Sequence, residues 1–198
     1  MNIERTIENL EKRGFEVRRF KNRREAADYL VESIKGATVG IGGSVTVEQL
    51  GIYDRLQENN TVYWHWGGKD PQVVKAATGA RVYITSANAV AETGEIINID
   101  GRGNRVAATL FDKDAVYIVI GTNKIAEDFD AALWRARNIA GPKNAKRLNK
   151  KTPCAVRADK CYDCNSPERI CRGLVVLWGK MLDIPKVEVV IIEEELGL

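Results

Sequence analysis

Two short segments, VYIVI at 116–120 and VEVVII at 187–192, are apolar on nearly every residue, so neither face of either segment can be left to water. Each has the length of a strand, and a strand apolar on both sides belongs inside a parallel sheet covered by helices above and below. The rest of the chain supplies such helices in alternation with further strands. Ile3, Ile7 and Leu10 repeat at i, i+4 and i+7 and predict a helix over 2–13, ended by Gly14. FEVRRF at 15–20 alternates like a strand, and Ala26, Ala27, Leu30, Val31 and Ile34 mark a second helical face that stops before Gly36. A strand over 37–41, a helix over 45–59, a strand over 61–66, a helix over 70–79 with Asp70 as N-cap and Pro71 at its first position, and a strand over 81–88 follow. EIINIDGRGNRVAATL at 95–110 breaks the alternation: two runs around Asp-Gly and Gly-Asn predict a β-hairpin and so a mixed sheet. After 116–121, Phe129, Leu133, Ala136 and Ala140 predict a helix that Gly141-Pro142 ends. The expected fold is α/β: a three-layer, Rossmann-like, mostly parallel sheet with a β-hairpin and a C-terminal cysteine-rich segment, in a single domain over 1–198.

Composition agrees and narrows the function classes. With 198 residues, 44% hydrophobic, 29% charged and five prolines, the chain can bury one core and is not of a disordered or fibrous type. A net charge of +3 is too small for a general polyanion binder. The N-terminus is charged throughout, which argues against a secretory signal, and the apolar runs are far shorter than the roughly 18 residues of a membrane span. A cytoplasmic protein without membrane contact is the expectation. Arg135 to Lys151 holds seven basic residues and no acidic one, a local positive face. Because no aromatic platform accompanies it, nucleic acid is not the expected partner.

In an open α/β sheet, ligands bind beyond the carboxyl ends of the strands, and three loops fall there. Gly42-Gly43-Ser44-Val45-Thr46 joins a strand to a helix, so its backbone N–H groups and the helix dipole suit a phosphate or carboxylate. No lysine follows the glycines and the dinucleotide spacing is absent, so ATP and NAD are not indicated. The same loop also reads as a tight turn with Ser44 or Thr46 capping the helix. In SANAVAETG at 86–94, Glu92 is the candidate catalytic carboxylate, with a polar turn solvated by Ser86, Asn88 and Glu92 as the alternative. Gly121, Asn123 and Lys124 form the third loop, and Lys124 can neutralise an anion held by the first. His65, the one histidine, lies between two tryptophans and reads as a packing residue, which sets aside Ser/His/Asp catalysis.

All four cysteines, Cys154, Cys161, Cys164 and Cys171, fall within 154–171 in a C-x6-C-x2-C-x6-C pattern. Four thiolates so close in sequence suffice for one [4Fe-4S] cluster or one tetrahedral Zn²⁺, and the spacing matches neither a zinc ribbon nor the bacterial ferredoxin run. Unmetallated thiols are the remaining alternative.

The sequences VGIGGSVTVEQLGI, SANAVAETGEI, IVIGTNKI and CYDCNSPERIC occur in the order found in the LUD-domain (lactate utilisation) family, which this chain resembles over nearly its whole length. The resemblance implies an α/β fold similar to ribose-5-phosphate isomerases and CoA transferases, with Gly42, Gly43, Ser44 and Thr46 as the phosphate- or carboxylate-binding loop and Glu92 as the acidic residue. It implies a role in oxidising L-lactate to pyruvate beside separate iron–sulfur partner subunits, with homo-oligomerisation left open. The paired cluster repeats of larger relatives are absent, so at most one cluster fits. An isomerase or acyl/CoA-transferase-like enzyme acting on a phosphorylated or acyl substrate, and a non-catalytic ligand-binding subunit, stand as the two alternatives.

Overall fold

A computed structural model describes residues 1–66 and 71–198; the predicted N-cap Asp70 lies outside the described residues. The chain runs α1 (Ile3–Lys12), β1 (Glu16–Phe20), α2 (Arg23–Ser33), β2 (Thr38–Ile41), α3 (Val45–Glu48), α4 (Tyr53–Gln57), β3 (Thr61–Trp64), α5 (Pro71–Gly79), β4 (Val82–Thr85), β5 (Ala89–Ala91) and β6 (Ile96–Asp100). It continues with α6 (Asn104–Ala107), β7 (Ala115–Gly121), β8 (Ile125–Ala126), α7 (Phe129–Arg135), a π-helical turn over Ala136–Ala140, α8 (Gly141–Arg147), α9 (Pro153–Arg157), β9 (Gly173–Leu177) and β10 (Lys186–Ile192).

Six strands make a sheet in the order β1-β10-β7-β4-β2-β3, and every pairing in it is parallel. The two segments that are apolar throughout, β7 and β10, lie side by side inside it, with Ile118 opposite Val189 and Ile120 opposite Ile191. Ala26 and Leu30 of α2, Val47 of α3 and Leu56 of α4 close one face against Val39, Ile41, Val190 and Ile192. The other face packs Tyr83, Ile118 and Val189 against Leu10 of α1 and against Val90, Ile96 and Leu177 of a second, four-stranded sheet ordered β8-β5-β6-β9. Ala132 of α7 and Ala136 after it cover the outer side of that small sheet at Ala89, Ala91 and Ile97. The expected mostly parallel, helix-flanked α/β sheet is present, and the small sheet is an addition to it.

Three local expectations are corrected. The hairpin over 95–110 is not formed: β6 pairs antiparallel with β5 before it and with β9 far after it, and the segment following Gly101 is the helical turn α6. The Asp100 carboxylate accepts from the Arg102 and Gly103 N–H groups, and Gly103 takes φ +84°, which turns the chain out of the strand into α6. Gly141-Pro142 does not end the helix begun at Phe129. The chain runs on through a π turn into α8, which holds Pro142 in its first turn. The helix expected over 45–59 is split into α3 and α4 by Gly51 at φ +63°.

Candidate functional site

Adjacent strands β2, β4 and β7 end side by side, so the loops that leave them meet. Thr46 arrives from β2, Ser86 from β4 and Lys124 from β7. Lys124 Nζ donates to Thr46 Oγ1 at 2.7 Å, to Ser86 Oγ at 2.8 Å and to the Ala87 carbonyl at 3.1 Å, which uses all three of its hydrogens. The side chain is 4% exposed, and among the described residues no carboxylate pairs with it. Burial pushes its pKa down to about 7, and the neighbouring Arg135 and Arg105 cations push in the same direction.

A cavity of about 80 Å³ opens over this ammonium, lined among others by Gly43, Ser44, Thr46, Ser86, Arg105 and Lys124. The Arg105 guanidinium donates to the Ser86 carbonyl at 3.1 Å and the Ile99 carbonyl at 2.9 Å, and pairs with Asp100 at 3.2 Å. Arg147 reaches the rim with its guanidinium 4.9 Å from the Trp66 ring centroid. Ser44 Oγ caps α3 by accepting from Val47 N–H at 3.2 Å. Since α3 is a single turn, its dipole adds little, and the positive field over the cavity comes from side chains instead. Residues 196–198 close one side. Gly197, at φ +71°, lies so near Thr46 and Lys124 Nζ that a Cβ there would meet both.

Of the residues the sequence nominates for ligand binding, Gly43, Ser44, Thr46 and Lys124 line this cavity. Gly42 lies behind it, its N–H bonded to the Ile84 carbonyl at 3.1 Å and its Cα beside the buried, unpartnered Tyr83 hydroxyl. Gly121 and Asn123 shape the wall indirectly. Asn123 Oδ1 accepts from Leu196 N–H at 3.0 Å, its carbonyl accepts from Arg135 Nε at 2.7 Å, and Gly121 lets residues 194–196 pass close by. Glu92 is not among the lining residues. Its carboxylate accepts from the Asn2 N–H at 2.6 Å and faces Arg5 at 3.6 Å, tying the start of α1 to the small sheet. Ser86 was read from sequence only as a residue solvating a polar turn, while Arg105 and Arg147 were not singled out. The signal for Arg147 was the basic run 135–151; Arg105 sat in the misread hairpin.

The cavity continues into a larger cleft of about 480 Å³ that shares Gly43, Asn88, Arg105 and Arg147 and adds His65, Trp66, Arg102 and Arg169. His65 follows the edge strand β3. Its Nε2 lies 3.2 Å from Arg102 Nη1, and burial together with that cation lowers its pKa, which favours the neutral ring. Beyond the cleft lies a third cavity, of about 320 Å³, lined by all four cysteines.

The model of the LUD domain family matches residues 3–192, and the chain belongs to that family. No curated protein matches the sequence. The fold is similar to the crystal structure of a DUF162 family protein from Deinococcus radiodurans, with a TM-score of 0.53 at 10% identity over 96% of this chain and 95% of that one. Among the described residues no helix is long and apolar enough to cross a membrane.

Proposed function

We propose that this LUD-domain chain binds a small carboxylate of the 2-hydroxy- or 2-oxo-acid class over Lys124 and acts as a component of lactate utilisation. The family points to lactate utilisation in general; the choice of ligand comes from the site. The observation that carries it is a buried ammonium with hydroxyl and carbonyl acceptors and no carboxylate of the chain's own against it among the described residues. A buried cation without a counter-charge is costly, and an anionic ligand supplies that charge. The size of the cavity suits an acid of a few carbons. Thr46 and Ser86 hydroxyls beside the ammonium complement the 2-hydroxyl or 2-oxo oxygen next to a carboxylate.

The test is a thermal-shift and calorimetric comparison of L-lactate, pyruvate and inorganic phosphate. The expected result is stabilisation by lactate or pyruvate that Lys124→Met removes. Stabilisation by phosphate alone, or equal stabilisation of the variant, would overturn the assignment.

A further inference from the structure

We propose that the cavity framed by Cys154, Cys161, Cys164 and Cys171 is the seat of a cubane iron–sulfur cluster rather than of a single zinc ion. The proposal does not rest on the ligand assigned to Lys124. All four thiols are free and half-buried, and all four line one cavity of about 320 Å³. A tetrahedral zinc site draws its sulfurs to ~2.3 Å from one point, so they lie within about 4 Å of each other and leave no space between. Here, among the described residues, no three cysteine, histidine or acidic side chains come together closely enough to hold one ion. The four cysteines instead line one cavity. A cluster fills such a space with its own iron and sulfide and is held by four thiolates at its corners.

Hydrogen bonds fix the loops that carry the cysteines. Arg169 donates to the Cys164 carbonyl and to the Cys171 carbonyl, both at 2.8 Å, and to Asp163 Oδ1 at 3.0 Å, fixing the loop between the last two cysteines. Asp163, between Cys161 and Cys164, sits at φ +44°, a left-handed turn within the C-x2-C pair. Cys154 stands on α9, its Sγ 3.3 Å from Thr152 Oγ1. Cys161 Sγ accepts the Asp163 N–H at 3.4 Å and lies 4.0 Å from Arg137 Nη2. Hydrogen bonds to thiolate sulfur and nearby guanidinium groups are the protein's means of offsetting the negative charge of a thiolate-ligated cluster. Ile99, Leu133, Pro142 and Leu174 make the opposite wall apolar. Cys171 also lines the larger cleft that runs to Arg105.

The full chain, purified without oxygen and reconstituted with ferrous iron and sulfide, tests this by metal and sulfide analysis and by electron paramagnetic resonance after dithionite reduction. The expected result is about four iron and four sulfide per chain, a broad absorption in the blue, and a reduced-state signal. Cys161→Ser and Cys164→Ser should each lose most of the iron while keeping the circular dichroism of the native fold. One zinc per chain without sulfide, no metal uptake after reconstitution, or full iron loading in both folded variants would each overturn the proposal.

Discussion

Lys124 Nζ and Thr46 Oγ1 lie 2.7 Å apart although 78 residues separate them in sequence, because β2 and β7 flank β4 and their following loops meet above its end. The contact places an ammonium among hydroxyls and cations with, among the described residues, no carboxylate paired to it, and the electrostatic predictions follow from it.

The first concerns stability against pH. The folded pKa of Lys124, about 7, lies below the ordinary 10.5, so between those values the unfolded chain holds the extra proton and stability rises with pH. The penalty is fully present below pH 7 and fades towards pH 10.5. Urea unfolding of the wild type and Lys124→Met at pH 7 and pH 9.5 should show the wild type gaining about 3 kcal/mol relative to the variant. Parallel pH profiles would count against a buried, uncompensated ammonium.

Arg105 and Asp100 form a nearly buried pair, and Arg105 also holds the Ser86 and Ile99 carbonyls. Arg105→Met leaves Asp100 without its cation and should cost about 3 kcal/mol, lowering Tm by roughly 10 °C. Adding Asp100→Asn should recover part of that loss, which a double-mutant cycle reads directly.

Two glycines of one strand-turn unit should respond differently. A Cβ on Gly40 would overlap the Ala77 carbonyl oxygen, a backbone atom, so Gly40→Ala should destabilise by more than about 2 kcal/mol. A Cβ on Gly43 meets the Trp66 ring nitrogen at 2.8 Å and His65 Nδ1 at 3.3 Å, side chains able to shift into the cleft. Gly43→Ala should therefore fold with a loss below about 1 kcal/mol yet weaken lactate or pyruvate binding several-fold. Denaturant midpoints and ligand titrations separate the two outcomes.

Glu92 gives a prediction of the opposite kind. Its carboxylate serves Asn2 and Arg5 at the start of α1. Glu92→Gln should lower stability by about 1 kcal/mol and leave ligand affinity within twofold. A large loss of affinity at unchanged stability would return Glu92 to the site.

The fold was legible where burial dictates sequence. β7 and β10 could only be interior strands, and β2, β3 and β4 each announced themselves by an apolar run ahead of a turn. What escaped was decided by partners distant in the chain. Nothing local distinguishes Gly173–Leu177 as the strand that pairs with β6, and the Asp-Gly and Gly-Asn signals at 100–104 serve a helical turn as well as a hairpin. In the site, Gly43, Ser44, Thr46 and Lys124 were readable because they follow strand ends. Arg105 was hidden in the misread arm, and the contacts of Glu92 with α1, which docks on it from the other end of the sequence, were not legible from its own loop.

The most direct measurement is calorimetric titration of pyruvate and L-lactate at pH 6.5 and pH 8.5, in buffers of differing protonation enthalpy. An anion over Lys124 must draw a proton onto it, so binding should take up close to one proton at pH 8.5 and much less at pH 6.5, with affinity falling towards tenfold per unit above pH 7. Lys124→Met should abolish both the proton uptake and most of the affinity. Binding with no proton linkage at pH 8.5, or with the same linkage in Lys124→Met, would contradict the account.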